Sequence, residues 1–194
     1  LLLKKFRAGD VGFEFFLATI DPNGNPTSGI TRTPTTEVFG GFFGDMDAMK
    51  KDSTGGKDAW NNDEYLNIWV CDLSGGFGTA SILGFAYPPT AAPNWDQTMF
   101  PTDPTVDGVA LHYEIVGANN PLSQTGMLAG LADRGRTAVH EIGHYFGLRH
   151  IWGDAGFFGS IDCDITLDDG FSDTPHMGNN SKNDGCSFSK NSCT

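Results

Sequence analysis

The stretch HEIGHYFGLRH, from His140 to His150, fits the spacing H-E-x-x-H-x-x-G-x-x-H and decides how the chain is interpreted. On a helix, residues four apart lie on one face one turn apart, so the imidazoles of His140 and His144 can reach one metal ion. Gly147 can end the helix in a left-handed turn, which would bring His150 back toward the same ion. Three neutral imidazoles and a water form the open tetrahedral arrangement of a catalytic zinc site. The stretch therefore predicts Zn²⁺ bound by His140, His144 and His150.

Glu141 follows the first histidine directly, so its carboxylate can contact a zinc-bound water. Zinc would lower the pKa of that water toward neutrality and polarise a carbonyl group. Glu141 would then take the water's proton and later hand it to a leaving amine. Because a purely structural zinc site needs no general base, Glu141 favours a hydrolase over an ordinary polar helix or a structural metal site.

The eleven residues resemble the signature of the metzincin zinc peptidases. Within that group the chain resembles the pappalysin family, which includes ulilysin-like enzymes. The phrases that carry this likeness are YLNIWVC at 65–71, DGVA at 107–110, GRT at 135–137 and SDTP at 172–175. The resemblance extends from about Phe6 to Cys193 and implies a secreted zinc-dependent endopeptidase that hydrolyses peptide bonds by a Glu-activated zinc-bound water.

The resemblance also implies an α+β fold of the metzincin type, in which residues 1–194 form part of a metallopeptidase catalytic domain. Residues 1–147 would form an upper lobe with a twisted mixed sheet and a zinc helix over about 136–147. Residues 148–194 would form an irregular, incomplete lower lobe. In metzincins a tight methionine-containing turn follows the zinc helix, and the setting of Met177 in TPHMG does not match it.

We therefore expect the domain to be truncated at both ends. The missing turn would belong to the parent chain or to a C-terminal fragment of the same precursor, which would then be a partner. A second hypothesis follows from the same observation: without the turn, the chain could be a metal-binding scaffold or adhesion module that is catalytically weak or inactive.

Composition limits the class of protein. The chain has 194 residues, 39% of them hydrophobic, which is enough for one domain with a core. The net charge of −12 argues against a nucleic-acid partner, which would favour a basic face. No apolar run approaches the roughly 18 residues of a membrane-spanning helix, so no membrane partner is expected.

Alternating residues predict strands over Val11–Thr19 and Val106–Val116, and the apolar residues Leu66, Ile68, Trp69 and Val70 predict a central strand over Glu64–Cys71. An edge strand offers unpaired N–H and C=O groups to which an extended peptide can add as a further strand. The metzincin resemblance implies that a protein or peptide substrate lies along the third of these strands, about 106–116.

Five aspartates lie within twelve positions after the zinc helix, with glycine among them: Asp162, Asp164, Asp168, Asp169 and Asp173. Oxygen ligands on a flexible loop suit Ca²⁺, and the alternative is a solvated acidic loop. The family resemblance favours calcium and implies that its ligands are Asp169, Thr174 and the carbonyl of Ser172.

Three of the four cysteines fall in the last 32 residues, where apolar residues are few. Such a segment often needs disulfides, which indicates an oxidising, extracellular compartment. The family resemblance pairs Cys163 with Cys193 and leaves Cys186 to a partner beyond Thr194. Cys71 follows an apolar strand and is predicted to be a free, packed thiol.

Overall fold

The structure is a computed structural model that describes residues 12–40, 45–74, 82–90, 92, 103–117, 135–150, 169–172 and 174. The chain forms two compact units, Leu1–Pro34 and Thr35–Thr194. Among the described helices, none has the length and apolar content that crossing a membrane requires.

The first unit contains a turn around Asp21. Its carboxylate accepts hydrogen bonds from the backbone N–H groups of Asn23 and Asn25 at 2.9 and 2.8 Å, and Ile20 pairs with Pro26 in an isolated bridge. The strand predicted over Val11–Thr19 is wrong for its described part, because residues 12–19 form no strand. Phe15, Phe16 and Leu17 are consecutive and exposed, so this segment has no single apolar face to bury.

In its described residues, the second unit contains a three-stranded mixed sheet and one α-helix. The strands are β1 (Ile68–Cys71), β2 (Gly84–Tyr87) and β3 (Gly108–His112), and the helix is α1 (Arg136–Tyr145). Their order is β1-β3-β2, with β1 parallel and β2 antiparallel to β3. This arrangement agrees with the predicted α+β class.

Side chains alternate between the two faces of the sheet, and each face has its own core. On the helix side, Val109 and Leu111 of β3 cluster with Ala86 of β2 and with Tyr145 of α1. The opposite face packs Phe39, Met49, Trp69 and Leu73 together. Burial on both faces explains why all five residues of β3 are buried.

The two strands predicted in this unit are shorter than expected. The one predicted over Glu64–Cys71 begins only at Ile68. The one predicted over Val106–Val116 is limited to Gly108–His112 by 3₁₀ turns at Pro104–Val106 and Tyr113–Ile115. Pro104 favours the first turn, and the Asp103 side chain caps it by accepting from the N–H of Thr105.

The prediction that residues 106–116 form an edge strand is wrong, because β3 lies between β1 and β2. β2 lies at one end of the strand order, next to β3, and packs against α1. Sequence analysis missed β2. The apolar run from Ile82 to Tyr87, ended by Pro88 and Pro89, was the available signal.

Candidate metal centre and active site

The zinc motif lies on α1 and on the turn that ends it. The helix ends at Tyr145, and the N–H of Leu148 then bonds to the carbonyl of Gly143 at 3.0 Å. Gly147 has φ 87°, a left-handed conformation that is costly for residues with a Cβ atom. This turn redirects the chain so that His150 returns toward the helix face carrying His140 and His144.

The structure brings His140, His144 and His150 together. The Nε2 atom of His140 lies 3.0 Å from Nε2 of His144 and 3.3 Å from Nε2 of His150. Tetrahedral zinc with Zn–N bonds of about 2.0–2.1 Å would separate its nitrogen ligands by about 3.3–3.4 Å. The three imidazoles therefore fit a single zinc ion with little adjustment, and their nitrogens are the donor type that zinc prefers.

The tautomer of the neutral His144 ring is set by its neighbour. Its Nδ1 lies 2.7 Å from the carbonyl oxygen of Leu148. Because a carbonyl oxygen only accepts, Nδ1 must carry the proton, which leaves the lone pair on Nε2 facing the other two histidines. A second contact of this kind orients a metal-binding histidine and sets its tautomer.

Glu141 is buried beside the histidines, with 7% of its surface exposed. It packs against β2 at Gly84, where an added Cβ atom would lie 2.9 Å from Cγ of Glu141. Burial raises the pKa of the Glu141 carboxyl to about 7, and the charge of His150 partly opposes this effect. Its place beside the three histidines is where a general base would contact a zinc-bound water.

A pocket of about 400 Å³ opens between β2 and the start of α1. Its lining residues are Leu83, Gly84, Arg136, Thr137, His140 and Glu141. A space of this size beside the general base and one zinc ligand can hold part of a substrate. Sequence analysis did not single out Gly84, whose role depends on the pairing of β2 with β3.

The predicted calcium ligands lie in a short described segment. Asp169 is 5% exposed, and its Oδ1 accepts the N–H of Phe171 at 2.9 Å. Ser172 is exposed and Thr174 is half-buried. The calcium site remains a prediction.

The structure describes one of the four cysteines, Cys71. It is a free thiol, as predicted, and burial raises its pKa to about 12. Cys163 and Cys193 lie outside the described residues, and their pairing remains a prediction.

Comparison with known proteins identifies relatives of the chain. No family model matches it. Two extracellular metalloproteases of Arthroderma otae are 32% and 31% identical over 166 and 149 residues, covering 84% and 75% of this chain. These alignments cover 48% and 45% of the relatives, so the chain spans about half of their length.

A solved structure of mature mirolysin from Tannerella forsythia, in complex with a cleaved peptide, is 42% identical to the chain. It superposes with a TM-score of 0.65, covering 88% of this chain and 53% of mirolysin. Mirolysin in complex with a small compound matches equally well, with a TM-score of 0.64. Over the part that is compared, the chain is similar to a ulilysin-like metzincin, and the shared fold agrees with the histidine cluster.

Proposed function

We propose that the protein is a zinc-dependent endopeptidase. The observation that carries this proposal is the convergence of three imidazoles, in which Nε2 of His144 and Nε2 of His150 lie 3.0 and 3.3 Å from Nε2 of His140, with Glu141 buried next to them. The metalloprotease names of the relatives support the same reaction. When bound, zinc supplies Lewis acidity toward a carbonyl group and acidifies a water molecule.

The chain's own residues would bind, orient and move protons. His140, His144 and His150 would hold the ion, and the Leu148 carbonyl would keep the lone pair of His144 on Nε2. The Glu141 carboxylate would take a proton from the attacking water and deliver it to the amine that leaves. Its burial against Gly84 limits the positions it can adopt, which favours a fixed geometry for this transfer.

The substrate would be an extended peptide. β2 is an outer strand of the described sheet and packs against α1. Gly84, at the start of β2, lines the same pocket as Glu141. A peptide added alongside β2 would pass this pocket and bring one of its bonds to the zinc site. β2 thus replaces residues 106–116 as the proposed binding strand, and the peptide bound in the mirolysin complex supports a peptide ligand.

The competing hypothesis is a metal-binding scaffold without catalytic activity. A metal-binding scaffold needs no general base, so the buried Glu141 carboxyl beside the three histidines favours the endopeptidase. The test is hydrolysis of a denatured protein substrate by the purified chain. We expect cleavage that stops with a zinc chelator and returns with added zinc. Zinc binding without any cleavage would support the scaffold.

We further propose that calcium binds Asp169, Thr174 and the carbonyl of Ser172. Carboxylate, hydroxyl and carbonyl oxygens are the ligands that calcium prefers, and the low exposure of Asp169 supports a charge-compensating ion. A ligand that binds only the folded protein stabilises it by about 2.7 kcal/mol at a hundredfold excess over its dissociation constant. Equal melting temperatures in millimolar calcium and in a calcium-selective chelator would exclude the site.

We propose that the protein acts outside the cell. The relatives from Arthroderma otae are named extracellular metalloproteases, and the cluster of cysteines after residue 162 fits an oxidising compartment. The proposed Cys163–Cys193 disulfide follows from the family resemblance. Peptide mapping under non-reducing conditions tests it, and a link between Cys163 and Cys186 would contradict it.

A further inference from the structure

A fully buried lysine lies on the face of the sheet away from α1. Lys50 ends the 3₁₀ turn Ala48–Lys50, and its side chain has no exposed surface. Its Nζ donates to the carbonyl of Val106 at 2.6 Å and lies 3.6 Å from a carboxylate oxygen of Asp47. Burial lowers its pKa to about 8. Because a buried ammonium is unfavourable unless it is fully compensated, its partners indicate what it does in the fold.

Three aromatic rings surround this ammonium. Its Nζ lies 3.7 Å from the ring centroid of Tyr87, 4.9 Å from that of Phe85 and 5.4 Å from that of Trp69. A cation within about 6 Å of a ring face is attracted by the ring's quadrupole, and more strongly where water is excluded. Phe85 and Tyr87 both belong to β2, two residues apart and therefore on one face. Lys50 thus attracts two side chains of the proposed peptide-binding strand.

Lys50 also contacts the residues that precede β3, through its hydrogen bond to Val106. Val106 immediately precedes the residues that lead into β3, so one ammonium joins the start of β3 to the end of β2. The next residue, Asp107, holds the chain beyond β2, because its carboxylate accepts the N–H of Thr90 at 2.9 Å. β2 has only four residues and is followed by Pro88 and Pro89, which cannot donate ladder hydrogen bonds. These side-chain contacts therefore add to the pairing with β3 in holding the end of β2.

We propose that Lys50 is a positioning residue for peptide cleavage. By holding Val106, Phe85 and Tyr87 from behind the sheet, it fixes β2 at the depth where a paired peptide presents its bond to the zinc site. This inference rests on the proposed endopeptidase function. Lys50 touches neither the substrate nor the reacting atoms, so its effect should depend on how much of the substrate pairs with β2.

The test replaces Lys50 by Met, which keeps an unbranched side chain of similar length but removes the charge. Cleavage is compared for a long peptide that pairs along all of β2 and for a short peptide that reaches only the residues beside the cleaved bond. We expect kcat/KM for the long peptide to fall on the order of 10-fold, since misplacement by about 1 Å can cost on the order of 10²-fold. The short peptide should lose less than about 2-fold.

The control is Lys57→Met, because Lys57 pairs with Asp52 at 2.8 Å and has a 40% exposed side chain. This substitution should leave kcat/KM unchanged for both peptides. Hydrogen exchange supplies a readout that does not require activity. Amides of β2 should exchange faster in Lys50→Met, whereas those of α1 should not change.

Equal losses for the two peptides, or equal acceleration of exchange in β2 and α1, would overturn the proposal and leave Lys50 a general stabilising residue. If Lys50→Met does not fold, Tyr87→Leu removes the nearest ring, and it must reproduce the selective loss for the long peptide. If the wild-type chain with zinc cleaves neither peptide, the proposed function fails. Hydrogen exchange then still decides whether Lys50 fixes β2.

Discussion

Replacing Gly84 by Ala should impair cleavage through Glu141. An added Cβ would lie 2.9 Å from the carbonyl oxygen of Ala110, 2.9 Å from Cγ of Glu141 and 3.0 Å from Cδ2 of Leu111. The Ala110 oxygen belongs to the central strand and cannot easily yield, so the Glu141 and Leu111 side chains must shift. Overpacking of this kind costs about 1–3 kcal/mol in stability. If Glu141 moves by about 1 Å, turnover should fall by up to about 10²-fold.

The assay measures kcat, zinc content and melting temperature for the Gly84→Ala variant. The matched control is Ala86→Gly, which lies on the same strand and also faces the helix. It weakens the strand by about 0.5–1 kcal/mol without adding atoms near Glu141. We expect zinc to be retained in both variants and kcat to fall only in Gly84→Ala. A Gly84→Ala enzyme with wild-type kcat, or with no greater loss than Ala86→Gly, would refute the reasoning.

Three further outcomes are expected. Gly147→Ala should lower the free energy of unfolding by about 1–2 kcal/mol in urea titrations because of its φ of 87°, whereas Gly147→Asn should cost less; equal losses would contradict this explanation. The Cys71 peptide should remain unlabelled by a thiol reagent at pH 8 until urea is added, because burial raises the thiol pKa to about 12. Burial lowers the pKa of Lys50 from 10.5 to about 8. Above pH 8 the unfolded chain therefore binds more protons than the folded chain. The free energy of unfolding of the wild type should rise relative to that of Lys50→Met between pH 8 and 10. A stability difference that does not change with pH in that window would show that Lys50 titrates normally.

The local parts of the site could be predicted from the sequence. The spacing of His140 and His144 depends only on the helix period, and the glycine at 147 marks the helix end, so both follow from neighbouring residues. The return of His150 to within 3.3 Å of His140 depends on the same turn. These features need no knowledge of distant contacts.

The non-local parts could not be predicted in this way. β2 is four residues long and contains a glycine, so alternation over its length carries little information. Its pairing with β3 places Gly84 opposite Leu111, which is 27 residues later in the sequence. The same pairing places Gly84 next to Glu141, which is 57 residues later. The central position of β3 follows from the same pairing. A strand's alternation shows which side chains share a face but not which strand lies at the edge.

The burial of Lys50 could not be predicted from the sequence either. Lysine is among the residues least often buried, so its position in a polar, weakly periodic segment suggests a surface residue. Its burial becomes understandable only from Val106, Phe85 and Tyr87, which reach it through the folded sheet. Contacts of this kind have no local sequence signal.

The most direct test of the central claim is zinc content measured together with peptide hydrolysis in the wild type and in Glu141→Gln. We predict one zinc per chain in both proteins, because the glutamine leaves all three histidines in place. We predict that hydrolysis falls by about 10²–10⁴-fold in the variant, which is the contribution of a general base. A purified wild type that contains no zinc, or a Glu141→Gln variant that cleaves at a near-normal rate, would contradict the account.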